Sequence, residues 1–180
     1  MLITSDRLLL REYRPADEPA LLAYHADPRA REFYGPEEAR PNQLRELLRT
    51  FETWAGERPR RNYQLAIALR EDAETLVGSG GLRQAGLEAG TADLGLELAP
   101  AWWGRGFATE AGSALLHFGF GELGLATIRG LTVSANTRVA ALVRRLGFER
   151  VAEHPGEGWM AARGWTETEW RLTRERWSGA

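Results

Sequence analysis

The order of elements between residues 93 and 134 constrains the fold of this chain more than any other feature. Residues 93–99, "DLGLELA", alternate like a strand, residues 106–122 have the apolar pattern of a helix, and residues 128–134, "IRGLTVS", are strand-like again. Two strands joined by a helix normally lie parallel in one sheet and are linked by a right-handed crossover. We therefore expect a parallel strand pair inside the sheet.

The segments on either side of this unit predict a mixed sheet. Upstream, a β-like N-terminal run precedes two helical segments and three strand-like runs with short turns, which favour an antiparallel meander. Downstream come the helical segment "NTRVAALVRRLG" and two more strand-like runs. With 180 residues and no linker-like stretch, we expect a single domain spanning residues 1–180. The fold class is α/β, with a mixed central sheet of six to seven strands flanked by helices.

The junction between the strand and the helix of this unit reads "WWGRGFATEA", residues 102–111. The first amides of a helix have no partner inside it, and the helix dipole adds positive potential there. Gly104 and Gly106 remove side chains that would keep an anion away, and Arg105 can add a charged contact. These residues predict a pyrophosphate cradle from about Trp103 to Ala108. A tight turn without a ligand is the alternative explanation of the same glycines.

The absence of cysteine and lysine from the chain excludes several kinds of catalytic and binding site. The chain has no cysteine and no lysine, which excludes thiolate metal sites, cysteine nucleophiles, phosphate-loop lysines and Schiff-base lysines. Thr109 stands where a dinucleotide-binding loop would need its third glycine. The three histidines have no metal-ligand spacing, so we expect no metal. The net charge of −2 and the absence of a long apolar run argue against nucleic-acid and membrane partners, and we expect a cytoplasmic protein.

Two segments taken together, "LGLELAPAWWGRGFATEA" and "SANTRVAALVRRLGF", resemble the GNAT superfamily of acyl-CoA N-acetyltransferases. The runs "TSDRLLLREYRPAD" near the start and "WRLTRERW" near the end resemble the branch that contains the RimJ and RimL ribosomal-protein N-terminal acetylases. The resemblance extends from about Thr4 to Trp177, and it departs from the family motif at Ala101, where Gln or Arg is usual. It implies a single-domain GNAT fold, in which two parallel central strands splay apart in a V.

The resemblance also implies acetyl-CoA as the cosubstrate, bound in this V-shaped gap. Its pyrophosphate would meet the amides of the glycine loop, and its pantetheine arm would pair with the end of the preceding strand. The implied coenzyme-binding residues are Leu98, Ala99, Trp103, Gly104, Arg105, Gly106, Phe107, Ala108, Asn136 and Arg138. For the last two an alternative stays open, because Asn136 suits the N-cap of its helix and Arg138 suits a solvated helix face.

The implied reaction is direct attack of a primary amine on the thioester. Glu97 is the candidate general base, because the amine must be neutral to attack, and a glutamate that faces solvent or pairs with arginine is the alternative. Phe33 and Tyr34 are candidate acceptor-binding residues in a pocket between the first two helices, their loop and the region 148–154. The acceptor would be a protein N-terminus or a small-molecule amine, and the chain a monomer or homodimer.

The proton donor for the leaving thiolate is the feature that the resemblance does not supply. Family members commonly place a serine or a tyrosine on the helix that follows the asparagine, but the matching positions here are Val139 and Val143. A thiol pKa near ~8.5 lets a thiolate leave unassisted, and Tyr34 is another candidate donor. Two functions therefore stay open, an N-acetyltransferase and a coenzyme A-binding module with little or no catalytic activity.

Overall fold

A computed structural model describes residues 1–38 and 40–177, and within them eight strands form one sheet in the order β1-β2-β3-β4-β5-β6-β8-β7. The strands are β1 (Leu2–Thr4), β2 (Leu8–Arg11), β3 (Asn62–Leu69), β4 (Leu76–Arg83), β5 (Thr91–Leu98), β6 (Thr127–Val133), β7 (Glu149–Pro155) and β8 (Thr166–Thr173). The helices are α1 (Glu18–Ala26), α2 (Pro41–Gly56), α3 (Phe107–His117), α4 (Thr137–Arg145) and α5 (Gly158–Ala161).

The predicted antiparallel meander and the parallel crossover are both present. Strands β3, β4 and β5 follow one another along the chain, and each pairs antiparallel with the next. Strand β6, which follows α3 in the chain, pairs parallel with β5. The parallel pairing covers only Thr91 to Asp93 of β5, opposite Thr127 to Arg129 of β6. Beyond Asp93 the two strands separate, and this separation is the V-shaped splay. The mixed-sheet α/β fold is confirmed.

Helices pack on both faces of the sheet, because successive residues of a strand point to opposite faces and apolar residues occur on each. On β3, Leu65 and Ile67 are fully buried in the cluster that contains Leu115 of α3. Their neighbour Ala66 belongs to the cluster on the opposite face, which is formed with α1 and α2. The strand end at Leu98 and the start of α3 at Phe107 share the first cluster, so packing holds the loop between them against the sheet.

The expected count of six to seven strands was too low. The N-terminal run, expected as one strand, is divided into β1 and β2, which pair antiparallel with Leu2 opposite Arg11. A tight turn causes the division: the Ser5 amide donates to Leu8 O over 3.0 Å, and the Leu8 amide donates to Ser5 Oγ over 3.2 Å. Three consecutive polar residues, Ser5, Asp6 and Arg7, interrupt the hydrophobic pattern at this turn and are the sequence signal for the break.

Two further details differ from the sequence reading. The helix expected over 106–122 is α-helical only from Phe107 to His117, and Phe118–Glu122 continue it as a π-helical turn. The short helix α5 lies between β7 and β8, where the sequence pattern predicts no helix. Among the described residues, no helix is both long enough and apolar enough to cross a membrane.

Candidate active site

The splay leaves one edge of β5 without a strand partner. The Ala99 amide donates to Val77 O of β4 over 2.9 Å. Because backbone groups alternate in direction along an antiparallel strand, Glu97 and Gly95 also direct theirs towards β4. The backbone groups of Leu96 and Leu98 therefore face the gap towards β6. These groups can pair with an extended ligand that replaces the missing strand.

The glycine loop at the end of β5 adopts backbone conformations that require glycine. Gly104 has φ 76° and Gly106 has φ 81°, both in the left-handed region that residues with a side chain rarely enter. Gly106 is the N-cap of α3 and supplies no side-chain cap. The first helical bond is donated by Glu110 to Gly106 O, and the amides of residues 104–109 find no acceptor among the described residues. These amides are available to an anion.

An ion pair holds this loop from the N-terminal hairpin. Arg7 Nη2 lies 2.6 Å from Oε2 of Glu110, which is in the first turn of α3, and Arg7 Nη1 donates to Arg105 O over 3.0 Å. The Ser5 hydroxyl and the Arg7 amide both donate to Glu110 Oε1 over 2.7 Å. Burial opposes ionisation of Glu110 most strongly, but the Arg7 amide, Ser5 and the Arg7 guanidinium outweigh it and lower its pKa. Glu110 therefore braces the start of α3.

A cavity of about 490 Å³ lies over this loop and reaches across the splay to α4; we call it the loop cavity. Most of the predicted site residues line it. They are Phe33, Tyr34, Glu97, Leu98, Trp103, Gly104, Gly106, Phe107, Ala108, Asn136 and Arg138.

Ala99 and Arg105 do not line the loop cavity. Ala99 is buried in the cluster under α1 and α2, and its amide already belongs to the sheet. The Arg105 guanidinium lies 4.8 Å from the ring centroid of Trp102. The Arg105 carbonyl group accepts from Arg7 and so joins the glycine loop to the N-terminal hairpin.

Trp103 and Arg138 meet across the cavity. The Trp103 indole donates to Leu98 O over 2.8 Å, and the Arg138 guanidinium lies 4.4 Å from the centroid of the Trp103 ring. Arg138 also donates to Glu32 Oε2 over 3.0 Å. Its charge is thus held at the mouth of the cavity by an aromatic face and a carboxylate. The Leu98 carbonyl is available to a ligand only when the indole moves or shares it.

Asn136 has the N-cap role that its position indicated. Its Oδ1 accepts from the Val139 amide over 3.2 Å and so satisfies one of the free amides of α4. The side-chain NH₂ group has no partner among the described residues. Because Asn136 lines the loop cavity, this donor is available there.

Glu97 lies at the centre of a buried cluster of hydrogen-bond donors. Its Oε1 accepts from the Tyr24 hydroxyl over 2.7 Å and lies 3.2 Å from His25 Nε2. Its Oε2 accepts from the Tyr34 hydroxyl. His25 is 4% exposed, and its Nδ1 is buried without a partner among the described residues. The predicted alternatives of a solvent-facing or arginine-paired Glu97 do not describe this geometry.

The cluster keeps Glu97 ionised. Burial acts most strongly and favours the neutral carboxyl, but the interactions with His25, followed by the hydrogen bonds from Tyr24 and Tyr34, outweigh it. The pKa of Glu97 therefore lies below its usual value. Burial, followed by the negative charge of Glu97, raises the pKa of Tyr24 and that of Tyr34 well above the usual value for tyrosine. At neutral pH the carboxylate is charged and both hydroxyls keep their protons.

A second cavity, of about 610 Å³, opens between the sheet, α2 and α4; we call it the helix cavity. It includes His25 of α1, Glu38 of the loop between α1 and α2, and Phe148 next to β7, and so follows the elements expected around the acceptor. Five residues line both cavities: Tyr34, Leu96, Glu97, Val139 and Leu142. A molecule in one cavity can therefore reach a molecule in the other beside Glu97.

The two predicted acceptor residues behave differently. Tyr34 lines both cavities, whereas Phe33 lines only the loop cavity and packs 5.5 Å from the ring of Trp165. The sequence reading missed Tyr24 and His25. Their signal is a polar pair on the face of α1 that also carries the buried Leu21, since a buried polar group requires a partner.

The similarity of this chain to known proteins extends over most of its length. A model of the family described as "Acetyltransferase (GNAT) domain" matches residues 7–149. An uncharacterized N-acetyltransferase of Bacillus subtilis, YoaA, is 28% identical over 150 residues, which cover 83% of this chain and 83% of that protein.

Solved structures share the fold over nearly the whole chain. An acetyltransferase of the GNAT family from Bacillus anthracis has a TM-score of 0.78 at 21% identity, covering 97% of this chain and 99% of that chain. Spermidine N-acetyltransferase from Vibrio cholerae, in complex with CoA and spermine, has a TM-score of 0.79 at 17% identity, covering 96% and 99%. Because the family model spans more than half of the sequence and the structural likeness extends over the same fold, this chain belongs to the GNAT acetyltransferase family.

Proposed function

We propose that this chain, as a single domain, transfers an acetyl group from acetyl-CoA to a primary amine. One observation carries the proposal: the loop cavity and the helix cavity meet at Glu97, a carboxylate that stays ionised. Two substrates that enter from opposite sides would place the thioester and the amine next to the same residue. Membership of the GNAT family supports acetyl transfer as the reaction.

Acetyl-CoA fits the loop cavity through its donor groups. Its pyrophosphate would accept from the free amides of residues 104–109, and Arg138 would supply a positive charge nearby. Its pantetheine arm would pair with the backbone of Leu96 and Leu98 on the edge of β5 that faces the gap, and the Trp103 indole would move away from the Leu98 carbonyl or share it. The sequence also suggested Ala99, but the Ala99 amide is already bound in the sheet. The similar Vibrio cholerae enzyme was crystallised with CoA, which supports the assignment.

Glu97 would act on the attacking amine. The amine nitrogen donates its lone pair to the thioester carbonyl carbon, the carbon–sulfur bond breaks, and the amine loses one proton. Glu97 accepts that proton either directly or through the Tyr34 hydroxyl, since Tyr34 donates to Glu97 Oε2 and lines both cavities. The backbone amides along the free edge of β5 would stabilise the oxyanion.

The sulfur would leave as a thiolate without a donor on α4. Val139 lies where the two cavities meet, and Val143 lines the helix cavity alone. Both positions expected for a proton donor therefore carry only methyl groups. Tyr34 carries a hydroxyl and lines both cavities, but its raised pKa makes it a weak acid. Solvent protonation of the thiolate is therefore the simpler route.

The acceptor is a protein N-terminus or a small-molecule amine. The RimJ/RimL-like termini of the sequence favour the protein N-terminus. The similar spermidine N-acetyltransferase supports a small amine, and spermine occupies that complex.

The test is thiol release from acetyl-CoA with a panel of amines that includes short peptides, amino acids, amino sugars and polyamines. Acetylation of at least one amine that is lost in Glu97→Gln supports the proposal. The proposal is contradicted if no amine of the panel causes thiol release under conditions in which calorimetry detects acetyl-CoA binding.

The absence of a proton donor at Val139 and Val143 favours a second candidate, a coenzyme A-binding module with little catalysis. Tight acetyl-CoA binding without turnover of any amine is the expected result for such a module. If acetyl-CoA does not bind at all, both candidates fail.

A further inference from the structure

Arg83 projects over the floor of the helix cavity next to Glu97. Both Arg83 and Gly95 line this cavity. A Cβ atom placed on Gly95 would lie 2.6 Å from Nη2 and 3.0 Å from Cζ of Arg83, which is closer than packed atoms allow. Gly95 does not have a positive φ, so its backbone conformation does not require glycine. Its missing side chain instead leaves the space that the guanidinium occupies.

The positive charge of Arg83 is incompletely paired. The nearest carboxylate is that of Asp93, whose Oδ2 lies 4.0 Å from Arg83 Nη2, but Asp93 Oδ1 already accepts from Arg129 over 3.1 Å. The guanidinium makes no hydrogen bond to any described residue, and its side chain is 38% exposed. A guanidinium presents a fork of N–H donors that matches a carboxylate.

A second polar group lies in the same cross-strand row. Gln64 of β3 is opposite Gly81 of β4, which is opposite Gly95 of β5, so no side chain intervenes on this row. Gln64 is 6% exposed and lines the helix cavity. One atom of its amide is bonded to Ser79 Oγ over 2.9 Å, and the other is buried without a partner in the described part of the chain. Rotation of the amide makes this free atom a donor or an acceptor.

The Arg83 guanidinium and the proposed base, Glu97, are close enough for a single small molecule to contact both. Gly95 and Glu97 are two residues apart on β5, so the guanidinium lies over a point roughly 7 Å along the strand from the Glu97 Cα. The other lining residues of the helix cavity include apolar side chains such as Leu44 and Phe51 of α2, together with the carboxylate of Glu38. Leu47, also in the lining, is 42% exposed and so has apolar surface free for a ligand.

We propose that the acceptor is an amino-acid-like molecule, with a carboxylate near its amine and an apolar side chain, and that Arg83 with Gln64 binds the carboxylate. The inference rests on the proposed function, since it places the amine at Glu97 and the thioester beyond it. Arg83 is then a specificity-determining residue that does not take part in the chemical step.

The experiment measures steady-state acetylation of phenylalanine and of phenylalaninamide, which differ only in the carboxylate. The two amines differ in pKa, so each acceptor is compared between variants rather than with the other acceptor. Arg83→Gln is expected to raise the KM for phenylalanine on the order of tenfold to a hundredfold, with kcat and the kinetics of phenylalaninamide unchanged. Arg83→Lys should restore part of the loss because it keeps the charge.

Two further variants test the geometry. Gly95→Ala should reproduce the loss by displacing the guanidinium while the charge remains. Arg171→Gln is the matched control, because Arg171 lies half-exposed on β8 and lines neither cavity. Equal effects of Arg83→Gln on both acceptors would overturn the inference, as would acetylation of phenylalaninamide without acetylation of phenylalanine.

Failure of the proposed function is distinguishable from failure of this inference. If no amine is acetylated, calorimetry of phenylalanine with the CoA-saturated protein decides the carboxylate site. Binding that is lost in Arg83→Gln supports the site even then, and the absence of phenylalanine binding to the unmodified protein overturns it.

Discussion

The hydroxyl of Tyr24 donates to Oε1 of Glu97 over 2.7 Å and links the buried face of α1 to β5. With Tyr34 and His25 it surrounds a single carboxylate with three polar side chains, although a quarter of the Glu97 side chain stays exposed. The base proposed for the reaction is thus positioned by elements far from it in sequence.

Replacing Glu97 with Gln is expected to lower kcat/KM by about 10²–10⁴, the usual contribution of a general base. Gln keeps the volume of the side chain but cannot accept a proton from the amine. Acetyl-CoA affinity, measured by calorimetry, should not change, because Glu97 makes no predicted contact with the phosphates. Full activity in a folded Glu97→Gln protein would show that the carboxylate is not the base.

The pH dependence of the reaction should report the acceptor rather than Glu97. Because the pKa of Glu97 is below its usual value of 4.5, the carboxylate is fully ionised throughout the neutral range. An α-amine with a pKa near ~8 becomes neutral as the pH rises, so kcat/KM should rise between about pH 6 and pH 8 and then level off. If kcat/KM of the Glu97→Gln protein falls at low pH in the same way as that of the unmodified protein, the ionising group is the amine and not Glu97.

Tyr34→Phe and Tyr24→Phe form a matched pair. Each removes one hydrogen bond to the Glu97 carboxylate and is expected to lower the free energy of unfolding by about 1–3 kcal/mol in urea titrations. Only Tyr34 lines both cavities, so kcat should fall more in Tyr34→Phe than in Tyr24→Phe. Equal kcat values for the two variants would show that Tyr34 only positions Glu97 and does not transfer the proton of the amine.

Gly106→Ala tests the glycine loop. At φ 81° an alanine costs about 1–2 kcal/mol, and relief of this strain would rotate the amides that face the loop cavity. Acetyl-CoA affinity should therefore fall at least tenfold by calorimetry. Gly56→Ala is the control, because Gly56 has no positive φ and a Cβ there meets no atom within 4 Å. Unchanged affinity in a folded Gly106→Ala protein would identify the loop as a turn without a ligand.

Glu110→Gln tests the brace at the start of α3. Its hydrogen bonds to Ser5 and Arg7 hold a charged carboxylate, and their weakening should cost about 1–3 kcal/mol of unfolding free energy at pH 7. The folded-state pKa of Glu110 is lowered, so this contribution is present above the unfolded pKa of about 4.5. It is lost as the pH falls through the lower folded-state value, so the difference between variant and unmodified protein should shrink towards pH 3. A constant difference at both pH values would attribute the loss to packing.

The local pattern of the chain is sufficient to predict the crossover, the meander and the glycine loop. Alternation along 93–99, the apolar stripe of the following helix and the glycines at 104 and 106 are features of neighbouring residues, and each is governed by backbone geometry that acts over a few residues. The N-cap at Asn136 belongs to the same group, since its partner, the Val139 amide, is three residues away.

The surroundings of Glu97 depend on contacts between residues far apart in the chain. Tyr24 and His25 lie more than seventy positions before Glu97, and their approach depends on how α1 packs on the sheet. The brace from Ser5 and Arg7 to Glu110 has the same origin, because these residues are more than 100 positions apart in the chain. The space for Arg83 over Gly95 follows from the register of β4 against β5, which is set by the whole sheet and by the burial of one of its faces. Periodicity shows which face of an element is buried, and only the packed sheet and helices establish which side chains meet there.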